Sequence, residues 1–205
     1  NGTRRGLKVI TIDIKKKICL NWKMLDYSQL YQKLTKGLSP KTKDIFDRRF
    51  GVKTGRQETL ESIGQSMGIT RERVRQIEEA GFAFVKKQNK DTLAQTFKDL
   101  ISYLEGRGGF KKEDIAIREI GGENAKPYVL FLLTLGERFS RVCEKKDFYS
   151  FWSIMQSPEA EIKETLGALI KDVKIQGSPL SKKDFFAMLI SKSKLNKEAL
   201  LSYLE

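Results

Sequence analysis

Histidine is absent from this chain of 205 residues. Its absence excludes Ser-His-Asp triads, histidine-based proton transfer and histidine metal ligands. The cysteines, Cys19 and Cys143, are far apart and lack a Cys-x-x-Cys spacing, which predicts two reduced thiols in a cytoplasmic protein. Carboxylate pairs such as Glu113-Asp114 are adjacent in sequence, so on a helix they point in different directions and form no acid/base dyad. We therefore expect no catalytic residues, no metal and no cofactor.

Long hydrophobic runs are also missing, since no apolar stretch approaches the roughly 18 residues of a membrane-spanning helix. The chain has no signal-peptide core either, so we expect no membrane contact and a cytoplasmic, nucleoid-associated protein. It begins with Asn1 rather than Met. We read this as the start of a fragment or of a processed chain.

Acidic residues are scarce only in the first half of the chain. Residues 1–90 hold 21 Lys and Arg against 9 Asp and Glu, whereas residues 91–205 hold 18 against 17. Almost all of the net charge of +13 therefore lies in the first half. A basic region of this kind is typical of proteins that bind the phosphates of nucleic acid.

The stretch 59–87 of this basic half predicts two helices joined by a tight turn. Apolar residues recur at helical spacing before Gly68, which predicts the end of the first helix because glycine readily adopts a left-handed conformation. Thr70 is a favourable N-cap for the second helix, whose buried face begins with Val74 and Ile77. Gly64 leaves room for the second helix to approach closely. The pattern predicts a helix-turn-helix of the DNA-binding kind.

The second helix carries a polar face opposite its buried residues. Glu72, Arg75 and Gln76 point away from Val74, and Arg71 lies at the N-terminal edge of this outer face. Arginine and glutamine make bidentate contacts with guanine and adenine, and glutamate accepts a hydrogen bond from cytosine. A solvated helix face would carry similar charges, but the glycine turn beside it favours DNA recognition.

Three sequence pieces occur in an order and spacing that resemble region 4 of bacterial sigma-70 family sigma factors. They are Arg49-Phe50-Gly51, the run from Glu58 to Gly64, and the run from Thr70 to Glu78. The resemblance covers residues 38–87, about a quarter of the chain. It implies that the domain reads the −35 promoter element in the major groove and that the preceding helical part holds the flap of the RNA polymerase beta subunit.

The resemblance also implies roles for particular residues. Base contacts fall on Arg71, Glu72, Arg75 and Gln76, and DNA-backbone contacts on Arg49, Thr59, Leu60, Thr70 and Arg73. Ile45, Phe46 and Phe50 are core residues that we also expect to contact the flap. The chain departs from the family after this helix, because Ala80, Ala83 and Phe84 replace residues that are often Lys or Arg. Phe82 and Phe84 are therefore expected to pack against later parts of the chain.

The second half predicts winged-helix modules. Helices are expected over 92–105, 112–120 and 125–135, followed by strands over 139–143 and 148–154. The apolar pattern repeats about 70 residues later, which predicts a second, truncated module. Two short segments, residues 138–142 and 177–181, resemble HARE-type winged-helix domains, some of which are linked to RNA polymerase. The uncharged helix at 125–135 favours protein contact or internal packing over a second DNA site.

The expected fold is mainly α, with a helix-turn-helix domain followed by tandem winged-helix modules and little β structure. We expect an N-terminal extension (1–37) with a possible hairpin and a helix, a region 4-like domain (38–90), a winged-helix module (91–157) and a truncated second one (158–205). The leading hypothesis is sequence-specific binding of double-stranded promoter DNA in transcription initiation, together with RNA polymerase core. The alternative is an adaptor that binds polymerase through the region 4 fold and binds another protein through the winged helices. An enzyme with a DNA-targeting domain is disfavoured.

Overall fold

The computed structural model describes residues 25–146, 149–176, 181, 183–185, 187 and 197–204. The predicted hairpin within residues 1–22 lies outside this part, as do most of residues 177–196. The described chain is mainly helical and contains one three-stranded antiparallel sheet. In chain order the elements are α1 (Tyr27–Leu34), α2 (Pro40–Phe50), α3 (Leu60–Met67), α4 (Arg71–Gln88), α5 (Lys90–Glu105), β1 (Phe110–Lys112), α6 (Glu113–Ile120), a 3-10 turn (Glu123–Ala125), α7 (Lys126–Leu135), β2 (Ser140–Val142), β3 (Phe151–Ser153), α8 (Pro158–Gln176) and α9 (Lys197–Leu204).

The first four helices begin where side chains cap them. Asp26, Ser39, Thr59 and Thr70 each accept a hydrogen bond from the backbone N–H three residues later. Such a bond satisfies one of the backbone donors that a helix start leaves without a partner. Pro40 follows Ser39 at the first position of α2, where the missing N–H of proline costs no hydrogen bond. The boundaries around the predicted helix-turn-helix are therefore set locally.

The contacts divide the chain into two compact units. The first contains residues up to 96 together with 117–135, and the second contains 97–116 and the residues from 136 onward. This grouping differs from the boundaries expected at residues 90 and 157. The reason is that hydrophobic side chains of α7 pack with helices that come much earlier in the chain. The four-region division stays a prediction.

The core of the first unit centres on the ring of Phe131 in α7. Its centroid lies 5.0 Å from that of Tyr31, 5.6 Å from Phe46 and 5.4 Å from Phe50. Phe82 of α4 stacks on Phe46 at 4.9 Å and lies 6.1 Å from Phe131. Edge and offset contacts between aromatic rings add stability beyond the buried area. The core thus joins α1, α2 and α4 to α7.

The second unit is built on the sheet, whose strand order is β1-β3-β2. Phe110 and Phe151 contribute to its core, and α8 and α9 add Ile162 and Tyr203 to the same cluster. The rings of Phe110 and Tyr203 meet edge to face at 4.6 Å. The helices that come after the sheet in the chain therefore complete its core.

Several predicted elements are confirmed, with changed bounds. The strands expected over 139–143 and 148–154 are β2 and β3, and the helix expected over 125–135 is α7. The helix expected from 92 begins at Lys90. The helix expected from Lys112 begins at Glu113, because Lys112 pairs with Phe151 as the last residue of β1. The chain order α5-β1-α6-α7-β2-β3 with this strand order is consistent with the expected winged-helix arrangement. No helix in the described part is both long and apolar enough to cross a membrane.

Candidate nucleic-acid interface

The turn between α3 and α4 is a tight helix-turn-helix corner. Gly68 ends α3 with a φ of +65°, a conformation that favours glycine, and its N–H donates to the carbonyl oxygen of Gln65. A Cβ atom at Gly64 would lie 2.7 Å from the carbonyl oxygen of Ile69. Only glycine therefore lets the turn pass so close to α3, as the sequence predicted.

Helix α4 has one buried and one exposed face. Val74, Glu78, Gly81 and Val85 are buried, at the helical spacing of three and four residues. A Cβ at Gly81 would lie 2.8 Å from the Phe46 ring, so α4 and α2 pack closely there. The buried face holds α4 against the core, and the opposite face is open along the helix.

All four predicted base contacts lie on the exposed face of α4. Arg71, Glu72, Arg75 and Gln76 are exposed and fall within its first two turns. Recognition helices contact base edges with residues in this N-terminal part. The structure therefore brings the predicted readout residues together on one surface.

The exposed polar groups are bonded to one another along this face. Arg75 donates to both carboxylate oxygens of Glu72, with Nε–Oε2 at 2.9 Å and Nη2–Oε1 at 2.6 Å, and its Nη1 donates to Glu79. Arg73 Nη1 donates to Gln76 Oε1 at 3.1 Å. The hydrogen bond from Arg75 holds the pKa of Glu72 below its usual value. Glu79 is exposed on the same face, and no role was predicted for it.

The predicted DNA-backbone residues fall into two groups. Thr59 and Thr70 are the N-caps of α3 and α4, each with its hydroxyl oxygen 3.1 Å from a backbone nitrogen. Arg73 is exposed beside Thr70, whereas Leu60 is half-buried. Arg49 Nη1 donates to the carbonyl oxygen of Glu58 at 3.1 Å. Arg49 therefore already supports the protein framework, and its DNA contact stays a prediction.

Two arginines of α2 fix the loop that leads into α3. Arg48 forms a bidentate pair with Glu58, with Nε–Oε1 at 3.0 Å and Nη2–Oε2 at 2.6 Å. The hydrogen bond from Arg48 lowers the pKa of Glu58. Bidentate arginine–carboxylate pairs constrain geometry as well as adding energy. Together with the bond from Arg49 to Glu58, this pair sets where α3 begins.

Glu78 is a buried carboxylate within α4 that sequence reasoning did not single out. Its side chain is 12% exposed, and its Oε1 lies 3.6 Å from Arg49 Nε. Burial raises the pKa of Glu78, and the positive charge of Arg49 opposes the rise. Helical spacing is the signal that could have found it, since Glu78 follows the buried Val74 by four residues, whereas Glu79 lies on the exposed face.

The three side chains expected to contact the polymerase flap are buried. Ile45 and Phe46 are 0% exposed and Phe50 is 4% exposed. The ring of Phe131 from α7 packs against both phenylalanines. A partner therefore cannot reach these side chains while α7 is in place. Their core role, which the sequence also predicted, is the one the structure shows.

The packing of Phe82 and Phe84 matches only in part the expectation that both pack against later parts of the chain, because Phe82 meets the later Phe131 but Phe84 lies against the earlier Gly37. Phe82 stacks on Phe46, and Phe84 lies beside Gly37, where a Cβ would be 3.3 Å from its ring. Ala80 and Ala83 are exposed on the rest of this helix end. Aromatic residues here serve the core, and the alanines leave positions 80 and 83 uncharged, while Lys86 and Lys87 lie in the last turn of α4.

Residues 36–87 match the family model for sigma-70, region 4. This segment is a sigma-70 region 4 domain. It contains α2, α3 and nearly all of α4, so the helix-turn-helix described above lies inside the match. The region 4 domain accounts for about a quarter of the chain.

Sigma factors from distant organisms are similar over the same part of the chain. RNA polymerase sigma factor SigA of Nostoc sp. is 36% identical over 66 residues, which is 32% of this chain and 17% of that protein. RNA polymerase sigma factor sigB of Arabidopsis thaliana is 38% identical over 65 residues, 32% of this chain and 11% of that protein. RNA polymerase principal sigma factor HrdD of Streptomyces coelicolor is 44% identical over 55 residues, 27% of this chain and 17% of that protein. The chain thus spans only a small fraction of the length of these relatives.

Proposed function

We propose that the chain binds promoter DNA sequence-specifically in transcription initiation, reading a −35-like element through its region 4 domain. The observation that carries the proposal is the exposed face of α4, where Arg71, Glu72, Arg75 and Gln76 lie together. These side chains match the hydrogen-bonding patterns of guanine, adenine and cytosine in the major groove. The basic first half of the chain supplies the sequence-independent attraction to phosphates.

RNA polymerase core is the proposed protein partner. Its support is the similarity of the region 4 domain to proteins named RNA polymerase sigma factors. We do not assign Ile45, Phe46 and Phe50 as contacts, because all three side chains are buried. The proposed role contains no catalytic step and places the protein in the cytoplasm beside the nucleoid.

The test begins with selection of preferred duplexes from a random library by the full chain. Affinity is then measured for the selected duplex with the parent, with Arg75→Ala and with Arg118→Ala. Arg118 is an exposed arginine of α6, outside the helix-turn-helix, so its variant removes the same charge from another helix. We expect Arg75→Ala to cost about 1–3 kcal/mol and Arg118→Ala much less. Equal losses in the two variants, or selection of no preferred sequence, would refute sequence-specific reading.

An adaptor role is the second candidate, and one observation favours it. Ala80 and Ala83 are exposed and uncharged, and Glu72 and Glu79 offset the charge of Arg75, so positive charge beyond Arg75 returns only at Lys86 and Lys87 in the last turn of α4. Such a face attracts DNA less strongly than a continuous row of arginines and lysines. If polymerase core captures the chain equally well after Arg75→Ala and Gln76→Ala, and no DNA sequence is preferred, the adaptor role is supported.

A further inference from the structure

The guanidinium group of Arg75 is held between two carboxylates on the exposed face of α4. Nε and Nη2 donate to Glu72, one turn before Arg75, and Nη1 donates to Glu79, one turn after it. All three nitrogen atoms of the guanidinium are therefore engaged. The side chains of Glu72 and Glu79 are each 58% exposed, and that of Arg75 is 45% exposed. The group lies at the surface, where DNA would meet it.

The two glutamates differ in what else they are expected to do. Glu72 lies in the first turn of α4, and its carboxylate is among the groups proposed to contact bases. Glu79 lies one turn beyond Arg75, past the N-terminal part of the helix with which recognition helices reach bases. Glu79 therefore has no assigned role in reading DNA. Its observed contact on this face is with Arg75.

The carboxylate of Glu79 changes the net binding free energy that Arg75 gains when it contacts DNA. A phosphate offers a negative charge without sequence information, and a guanine offers two acceptors in a fixed geometry. An arginine already paired with two carboxylates gains little by exchanging them for a phosphate. The negative charge of Glu79 also opposes the approach of any phosphate to this part of the helix. Both effects weaken contacts that carry no sequence information.

We propose that Glu79 is a specificity-determining residue that acts through Arg75. It keeps the guanidinium on the face of α4 and lowers the affinity of Arg75 for the DNA backbone, so that a base contact is favoured over a phosphate contact. Glu79 is thus a positioning residue that restrains non-specific binding. This inference rests on the proposed function, since it assigns a role within the same DNA-reading surface.

Glu79→Gln in the full chain tests the inference. The variant keeps the shape of the side chain and removes its charge. The probes are a duplex of scrambled sequence and the duplex selected by the parent, each titrated at several salt concentrations. We expect the affinity for the scrambled duplex to rise about threefold to tenfold at low salt, with a salt dependence steeper by up to about one phosphate contact. The affinity for the selected duplex rises less, so the ratio between the two duplexes falls.

Glu61→Gln is the matched control. Glu61 is an exposed glutamate of α3 in the same helix-turn-helix, and it accepts a hydrogen bond from Gln65 Nε2 at 3.3 Å instead of pairing with an arginine. Its variant makes the same change in net charge. A larger effect of Glu79→Gln than of Glu61→Gln on the scrambled duplex and its salt dependence supports the inference. Equal effects would overturn it, because Glu79 would then act only as one more negative charge.

The Arg75→Ala background separates the action through Arg75 from a direct effect. There, Glu79→Gln is expected to change binding no more than Glu61→Gln does. If the full effect of Glu79→Gln persists without Arg75, the inference is refuted. The scrambled-duplex measurements do not require a preferred sequence. Failure to select any sequence therefore counts against the proposed function, whereas identical behaviour of the two glutamine variants counts against the role of Glu79.

Discussion

Helices α4 and α7 each come after another helix and a short connection, yet their surfaces are opposite in character. Helix α4 has a buried stripe and an exposed face rich in arginine and glutamate. Helix α7 has six buried hydrophobic residues, Val129, Leu130, Phe131, Leu132, Leu133 and Leu135, and Lys126 at its first position is its one charged residue. A helix with one open polar face can meet another molecule, whereas a helix buried on most sides serves its own core. The comparison agrees with the recognition role proposed for α4 and shows that α7 supports the core.

The first test of this comparison removes the aromatic ring at the centre of the core, which α7 contributes. Phe131→Ala is expected to lower the free energy of unfolding by about 3–5 kcal/mol, because Phe131 is 0% exposed and packs against rings from α1, α2 and α4. Urea denaturation monitored by circular dichroism measures the loss. Thr134→Ala, at an exposed position of α7, is the control and should change stability by less than about 0.5 kcal/mol. Similar stabilities of the two variants would show that α7 does not support the core.

A second test changes the corner that sets the position of α4. Gly64→Ala should destabilise by about 1–3 kcal/mol, because the new Cβ would be 2.7 Å from the carbonyl oxygen of Ile69. DNA affinity should fall as well, since the turn must move. Gly167 lies within α8, and a Cβ added there would have no neighbouring atom within 4 Å, so Gly167→Ala should be neutral or stabilising by up to about 1 kcal/mol. Thermal unfolding of both variants checks the contrast, and a neutral Gly64→Ala would contradict it.

A third test concerns the start of α4. Thr70→Ala removes the side-chain acceptor of the Arg73 N–H and should cost about 1 kcal/mol in the free energy of unfolding. Thr70→Ser keeps the hydroxyl group and should retain most of the stability. Denaturant titrations of the two variants measure the difference. An equal loss in both would mean that the methyl group of Thr70, and not its hydroxyl, matters.

The smallest expected effect is a pH dependence of stability that arises from Glu78, the buried carboxylate of α4. Burial raises the pKa of Glu78, so the folded state binds this proton more tightly than the unfolded state does. The contribution of Glu78 to the free energy of unfolding is most favourable below the ordinary glutamate pKa of about 4.3. This contribution declines as pH rises through the raised pKa of the folded state. Glu78→Gln lacks this decline. The stability of the variant relative to the parent should therefore increase from about pH 4 to pH 7.

Denaturation of parent and Glu78→Gln at several pH values provides the measurement. Glu61→Gln serves as the control for loss of an exposed carboxylate. If the stability difference between Glu78→Gln and the parent is constant over this range, burial does not disfavour the charged form of Glu78.

Local signals in the sequence predicted α3, the turn and α4 well. The N-cap Thr70, the turn glycine Gly68 and the close approach at Gly64 each depend on neighbours within a few residues. The exposed face of α4 can be deduced from helical spacing once the helix is known. Strand β1 was missed because three residues, Phe110–Lys112, give too short a pattern to show alternation, and it forms by pairing with β3 about 40 residues later.

Contacts between distant segments could not be predicted in the same way. The apolar sequence of α7 indicated a buried helix but not its neighbours, and Phe131 meets a ring as far away in sequence as Tyr31. The burial of Phe46 and Phe50 beneath Phe131 became evident only from that packing. The bonds of Arg75 to Glu72 and Glu79 have helical spacing, but their simultaneous formation on an open surface required the folded geometry of the side chains.

The sequence by itself determined the helix-turn-helix and the set of side chains on the outer face of α4, because caps, glycine turns and helical periodicity act over a few residues. Only the tertiary structure decided that α7 completes the core around Phe46 and Phe50. Hydrophobic burial has no preferred direction or partner, so the choice among many apolar surfaces is made by the shapes of segments that come together only in the folded chain.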